Sequence, residues 1–297
     1  MTTFNLSACA VCPRECGVNR LEKRGYCGEG AEVRVSKIML HHFEEPVISG
    51  KSDDKRGSGT IFFSGCPLHC IYCQNKKISG GGIGDALTTR QLADAMLRLE
   101  AAGAYNINLV TPTHFIPQII DALDIAKPML SLPVIFNTGG YEKAETIAKL
   151  NGYADIFLTD FKYGTSELAK AYSAAPDYPQ VAMSALSEMY RSVGDPIFGT
   201  DGMMKRGIIL RHLVLPGGRK DSMAALRLAA EAVDPSKIIL SLMRQYTPEF
   251  APDSVPALKR RITSFEYDQV LKEALSLGFD GFSQDKGSAQ VSYTPEF

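Results

Sequence analysis

Seven cysteines lie in the first quarter of this 297-residue chain, in two clusters. An odd number of cysteines in a long chain without a recognisable export signal does not suit a disulfide framework. Clustered thiols of this kind are more typical of metal binding. The sequence therefore predicts a metal site in each cluster.

The second cluster has the spacing Cys66-x3-Cys70-x2-Cys73 and follows residues 59–65, which are predicted to form a buried strand. Three thiolates on a short loop can hold three irons of a [4Fe-4S] cluster, so that the fourth iron has no protein ligand. An open metal position can bind and activate a small molecule, as in catalytic zinc sites. The alternative is a structural zinc ion with His69 as the fourth ligand.

The first cluster lies in residues 1–30 and contributes four thiols. These are Cys9, Cys12, Cys16 and Cys27. Four thiolates suit either a zinc ion or a further iron–sulfur cluster, and both remain open here. Because so short a segment cannot bury a core, we expect the metal to hold its shape.

Residues 1–57 are predicted to form this cysteine-rich leader and a connector, and residues 58–297 one α/β domain. In the connector, the pairs His41-His42 and Glu44-Glu45 are expected to be solvated, with metal ligation as the alternative. After residue 58, apolar strand patterns alternate with helical patterns, which predicts right-handed βαβ units and a parallel sheet. Six such units suit a partly closed barrel as well as an open sheet.

The triplet with the aromatic Tyr72 before its last cysteine resembles the radical S-adenosylmethionine (SAM) superfamily. The whole chain is similar to the group related to pyruvate formate-lyase-activating enzymes, in a branch with a cysteine-rich N-terminus. This resemblance implies a partial (β/α)6 TIM-like barrel with a small metal-stapled N-terminal extension. It also implies that a [4Fe-4S] cluster on Cys66, Cys70 and Cys73 cleaves SAM reductively to a 5′-deoxyadenosyl radical, which abstracts hydrogen from a substrate.

Further residues correspond to family positions that bind SAM. Asp160-Phe-Lys162 resembles the Asp-x-Lys that holds the methionine part, and side chains two apart on a strand project to the same side. The resemblance assigns Tyr72 to adenine, and Asn137 and Thr138 to a glycine-containing SAM-binding stretch, for which a plain turn is the alternative. Arg211 matches an arginine that faces SAM or substrate, with a pairing to an acid as the alternative.

The chain departs from the family at two places. Where the family has Gly-Gly-Glu-Pro, it has Thr111-Pro-Thr-His114, and Thr113 and His114 are expected to replace the lost contacts. Gln245-Tyr246 stands where the family often has a histidine near the SAM ribose. Both changes predict a divergent substrate pocket.

Charge and composition argue against several classes of function. The formal net charge of −1 argues against an electrostatic nucleic-acid binder. No apolar run is long enough to span a bilayer, and residues 1–10 lack the pattern of a signal peptide, so we expect a cytoplasmic protein.

The resemblance implies a glycine of a partner enzyme as the substrate, which would become a glycyl radical, and an electron donor such as flavodoxin or ferredoxin. A small metabolite or a peptide is the alternative substrate. A zinc-scaffolded binding module without redox chemistry is the alternative from a different functional class.

Overall fold

The structure is a computed structural model that describes residues 4–51 and 54–284. Its strands are β1 (Val33–His41), β2 (Ser58–Phe63), β3 (Asp85–Leu87), β4 (Ile107–Val110), β5 (Val134–Thr138), β6 (Ile156–Asp160), β7 (Ile197–Phe198), β8 (Met204–Leu213), β9 (Ile239–Met243) and β10 (Asp280–Ser283). Its helices are α1 (Pro46–Ser49), α2 (Lys76–Ser79), α3 (Thr89–Ala101), α4 (Ile116–Ala126), α5 (Ala144–Ala148), α6 (Ser166–Ser173), α7 (Tyr178–Val193), α8 (Arg219–Ala232) and α9 (Ser264–Ser276).

One sheet carries the fold, in the order β10-β9-β8-β6-β5-β4-β2-β1-β3, with the short β7 beside β8. The strands from β2 to β10 along this order pair in parallel, whereas β1 and β3 pair antiparallel at one edge. The sheet of the described residues is not closed, as a partial barrel requires. The predicted α/β class and parallel sheet are therefore confirmed.

Two of the helices begin at sequence signals that can be identified. Thr88 caps α3 and forms a capping box with Gln91, and Thr263 and Glu266 do the same for α9. In such a box two backbone N–H groups that lack partners within the helix are satisfied by side chains.

The connector predicted for residues 31–57 contains a strand that the sequence analysis missed. β1 pairs with β2 over six residue pairs and with β3 over three. Val33 and Val35 are buried on one face, and this alternation is the signal that could have identified the strand. Because β1 directly follows the leader in the chain, it attaches the leader to the sheet.

Helix α1 packs on the face of the sheet opposite to the outer helices. Ile48 is fully buried there against Ile135, Leu158 and Ile209, while the neighbouring Phe136 belongs to the core under the helices. Successive side chains of a strand point to opposite faces, so α1 fills the interior of the open barrel.

Candidate active site

A cavity of about 200 Å³ lies at the carboxyl ends of the parallel strands. The loops after β2, β4, β5, β6, β8 and β9 all contribute to its wall. Its lining includes Cys66, Cys70, Tyr72, Cys73, Thr113, Asn137, Thr138, Glu142, Asp160, Lys162, Arg211, Gln245 and Tyr246. Ligand sites of α/β barrels occupy this end of the sheet because the loops there converge from many strands.

The loop after β2 brings all three thiols of the triplet to this cavity. Ser173 of α6 donates a hydrogen bond of 3.0 Å to Cys70 Sγ, and the Leu68 N–H lies 3.4 Å from Cys66 Sγ. Arg14 of the leader holds the loop from outside, with its Nε 2.7 Å from the carbonyl oxygen of Pro67. The loop is therefore positioned by α6 on one side and by the leader on the other.

His69, the fourth ligand of the zinc alternative, is turned toward the leader. Its Nε2 lies 2.8 Å from the Tyr26 carbonyl oxygen, and its ring packs edge-on against the Tyr26 ring. It is not among the residues that line the cavity. The structure therefore does not bring His69 together with the thiols in the cavity.

Burial makes these thiols costly to ionise in the metal-free protein. It raises the pKa of Cys66 to about 12 and that of Cys73 to about 11, and the nearby Cys70 adds to both shifts. A metal takes the place of the proton on sulfur and removes this cost. The donor set, three cysteine thiols on one loop at a cavity, suits an iron–sulfur cluster that keeps one iron free.

Among residues 4–51 and 54–284, no three His, Cys, Asp or Glu side chains form a group that could hold a metal ion. Such a group would be needed for one mononuclear ion. The ligands of an iron–sulfur cluster have a different arrangement, because each thiolate binds a different iron.

A charged network borders the same cavity. Lys162 forms an ion pair with Asp160, and Arg211 Nε donates to the other carboxylate oxygen of Asp160 at 3.0 Å. Burial opposes charge on all three groups. The two cations nevertheless hold the pKa of Asp160 below its ordinary value, and Asp160 raises the pKa of Lys162 and of Arg211. The site therefore holds two cations and a carboxylate in ionised form.

Arg211 also connects this network to Glu44, an acid that was expected to be solvated. Its Nη1 lies 3.1 Å from Glu44 Oε2, and its Nη2 donates to Asn137 Oδ1 at 2.6 Å. Asn137 in turn donates to Glu44 Oε1 at 3.2 Å. Glu45 is only 9% exposed and His41 only 7%, so the expectation that these connector residues are solvated is wrong. The predicted pairing of Arg211 with an acid is present, and Arg211 lines the cavity as well.

These residues border a second, smaller cavity of about 110 Å³ beside the first. Asn137, Arg211 and Gln245 line both cavities. Glu44 and His41 line only the second, which makes its wall mainly polar. The two cavities are therefore neighbours that share polar residues of three strands.

The divergent segment after β4 places Thr113 and His114 differently. Thr111 has φ +57°, which is uncommon for a β-branched residue, and its N–H donates to the Asn137 carbonyl oxygen. Thr113 lines the cavity and donates to Glu142 Oε1 at 2.9 Å. His114 is 1% exposed, its Nε2 contacts the Ser64 carbonyl oxygen, and it is not among the lining residues. The expected contact of His114 with a ligand in this cavity therefore has no support in the geometry.

Glu142 is a site residue that the sequence analysis missed. It is 1% exposed, lines the cavity, and its Oε2 has no hydrogen-bond partner among the described residues. The signal was its position just after Asn137–Tyr141, at the carboxyl end of β5. Strand ends are where α/β folds carry functional side chains.

Aromatic rings also line this cavity. Tyr72 is 9% exposed and its Oη lies 2.9 Å from Tyr163 Oη. Its ring packs edge-on against Tyr246, with the centroids 6.2 Å apart, and both rings line the cavity. Thr138, also at the cavity, donates to Thr159 at 3.0 Å.

A model of the radical SAM superfamily matches residues 60–255, more than half of the chain. This chain belongs to the radical SAM superfamily. Membership implies an enzyme that binds a [4Fe-4S] cluster and SAM, and it favours this function over a zinc-scaffolded binding module. No helix among the described residues has the length and apolarity needed to cross a membrane.

Two proteins similar to this radical SAM chain extend the comparison. The uncharacterized protein MJ0674 of Methanocaldococcus jannaschii is 27% identical over 281 residues, which cover 92% of this chain and 75% of that protein. The crystal structure of methylornithine synthase (PylB) matches with a TM-score of 0.47 and 15% identity, over 73% of this chain and 63% of that one. The match thus covers less than two thirds of the length of methylornithine synthase.

Substitution of Gly140 in this radical SAM chain tests how closely the backbone packs beside Asp160. Gly140 has φ +78°, and a Cβ there would overlap the carbonyl oxygen of Asp160. We expect Gly140→Ala to lower the free energy of unfolding by about 1 kcal/mol for the positive φ, and by about 1–2 kcal/mol more for the overlap. The matched control is Gly152→Ala, at φ +81° with no atom within 4 Å. Urea denaturation that gave equal losses for both variants would contradict the close packing.

Glu142 predicts a pH dependence of stability. Burial raises its pKa from 4.5 to about 7. The carboxyl therefore ionises at lower pH in the unfolded chain than in the folded one. The contribution of Glu142 to the free energy of unfolding is greatest below pH 4.5. It falls by roughly 3 kcal/mol as the pH rises to about 7. Denaturation of the SAM-free protein at pH 5 and pH 8 should show that Glu142→Gln loses less stability over this interval than the parent. A constant difference between the two proteins would contradict the raised pKa.

Proposed function

We propose that this chain reductively cleaves SAM and that the resulting radical abstracts hydrogen from a glycine of a partner enzyme. The observation that carries the first half is one cavity bordered both by three cysteine thiols and by the Asp160–Lys162–Arg211 network. The superfamily match supports this half. The choice of a protein glycine rests on the resemblance to activating enzymes.

In this proposal Cys66, Cys70 and Cys73 hold a [4Fe-4S] cluster. When bound, the cluster supplies the single electron that breaks a carbon–sulfur bond of SAM and releases methionine and the 5′-deoxyadenosyl radical. An external donor of the flavodoxin or ferredoxin type provides that electron. The protein's contribution is to hold the thiolates and to orient SAM.

The charged network and Glu142 suit the two charges of the methionine part of SAM. Lys162 donates to its carboxylate, because an ammonium and a carboxylate form a charge-assisted hydrogen bond. Glu142 accepts from its ammonium group through Oε2, the oxygen without a partner among the described residues. A nearby ammonium favours the ionised carboxylate and lowers the pKa of Glu142. SAM binding should therefore release a proton between about pH 5 and pH 7.

The remaining lining shapes the cavity for the rest of SAM. Tyr72 and Tyr246 offer ring surface to the adenine, and Thr138 and Asn137 offer polar groups nearby. Leu68, Val110 and Leu213 make part of the wall apolar, which excludes water from the position where a carbon-centred radical forms.

A small polar metabolite is the second candidate substrate, and the second cavity favours it. This cavity of about 110 Å³ lies beside the proposed SAM position and is bordered by Glu44, His41 and Gln245. Its polar wall suits a compact hydrophilic molecule rather than an apolar one.

The test uses full-length protein purified without oxygen. With dithionite as the reductant, it should bind iron at the triplet and release 5′-deoxyadenosine from SAM. Protein loaded with iron that releases none would overturn the proposal. A glycyl-radical signal in a candidate partner, detected by electron paramagnetic resonance, supports the first substrate. Metabolite-dependent 5′-deoxyadenosine formation without such a signal supports the second.

A further inference from the structure

The four leader cysteines lie close together, since Cys9, Cys16 and Cys27 are all near enough to Cys12 to raise the pKa of its thiol. The sulfur atoms of Cys16 and Cys27 lie 3.4 and 3.6 Å from the point where a Cβ on Gly25 would stand. Cys9, Cys12 and Cys27 are between 5% and 7% exposed, and all are free thiols. The fold therefore collects four thiols that no disulfide explains.

Burial raises the pKa of Cys12 to about 12 and raises that of Cys27 as well, but contacts of the leader thiols act in the opposite direction. The backbone of Arg14 hydrogen-bonds to the Cys12 sulfur, and that of Val18 to the Cys16 sulfur. The guanidinium of Arg20 is 2% exposed and close enough to Cys16 and Cys27 to favour their thiolates. Backbone N–H groups and a buried cation stabilise thiolate ligands, which is the form that binds metal.

The leader is joined to the triplet loop at the same place. The Cys66 N–H donates to the Cys27 carbonyl oxygen at 3.1 Å. A Cβ on Gly65 would stand only 2.5 Å from that oxygen, so the two segments are in close contact. The Gly82 N–H donates to Glu29 Oε1 at 2.6 Å and fixes the leader again beyond the triplet.

We infer that Cys9, Cys12, Cys16 and Cys27 form a four-thiolate metal centre that positions the loop carrying Cys66. Thiolates of this number bind either one zinc ion or an iron–sulfur cluster. A single ion requires the cysteine side chains to rotate about their Cα–Cβ bonds, because no three of them form a single-ion group as they stand. The existence of this centre is independent of SAM cleavage; only its effect on the triplet rests on the proposed function.

The first experiment measures metal in a full-length chain without the triplet. The variant Cys66→Ala/Cys70→Ala/Cys73→Ala, purified without oxygen, should retain about one zinc ion per chain or about four irons with sulfide. The result identifies which metal occupies the leader. Adding Cys12→Ser and Cys27→Ser should remove it. A triplet-free chain with neither metal, or metal that survives the added substitutions, would overturn the inference.

The second experiment tests the coupling to the triplet. Cys16→Ser, at the least buried leader cysteine, should lose the leader metal and change the electron paramagnetic resonance spectrum of the reduced triplet cluster. Leu21→Ala, at a leader residue that is 67% exposed, is the matched control and should change neither. Circular dichroism verifies that both variants are folded. An unchanged spectrum after complete loss of the leader metal would overturn the positioning role. Because the first experiment involves no SAM, its failure is distinct from failure of the proposed function.

Discussion

Cys70→Ala is expected to abolish SAM cleavage while the chain stays folded. Cys70 is partly exposed at the cavity, and its sulfur accepts one hydrogen bond, from Ser173. Losing such a bond costs about 1 kcal/mol, which is a small part of the stability of a domain. The substitution nevertheless removes one of the three proposed cluster ligands.

The measurement is 5′-deoxyadenosine formation from SAM by the oxygen-protected, reduced variant. We expect none above background, together with iron content below that of the parent. Lys77→Ala, an exposed residue on α2 just after the triplet, is the control and should cleave SAM at the parental rate. Full cleavage by Cys70→Ala would show that the ligand assignment is wrong.

Asp160→Asn is expected to have the largest effect on stability. The Asp160 carboxylate pairs with both Lys162 and Arg211, and the side chains of all three are between 14% and 22% exposed. Arg211 keeps Glu44 as a partner, but Lys162 has no second carboxylate among its ion pairs in the described residues. Removing one partner of a buried pair leaves the other charge uncompensated, so we expect a loss of about 4 kcal/mol in the free energy of unfolding.

Urea denaturation of the metal-free protein measures this loss without interference from the cluster. Asp201→Asn is the matched control, since Asp201 pairs with Lys205 where both side chains are about 40% exposed. Exposed pairs contribute at most about 1 kcal/mol. Losses of the same size in the two variants would contradict a buried network at the site. The Asp160 variant should also bind SAM more weakly, because Lys162 would lose the partner that orients it.

The amino-acid sequence by itself determined the chemistry-bearing loop and the strands around it. The triplet spacing is local, and apolar runs followed by glycine or polar residues mark strand ends wherever they occur. Asp160 and Lys162 were assigned through their resemblance to the family's Asp-x-Lys, and their spacing of two residues is equally local. The capping boxes of α3 and α9 likewise depend on residues three apart.

The tertiary structure alone decided which distant residues complete the site. Glu44 meets Arg211 across 167 residues of chain, and Glu142 meets Thr113 across 29; no local pattern encodes such distances. Glu142 lines the cavity and His114 does not, a difference that their places in the sequence do not reveal. The leader's contact with Cys66 arises in the same way, since segments far apart in sequence become neighbours only when the sheet brings its strand ends to one edge.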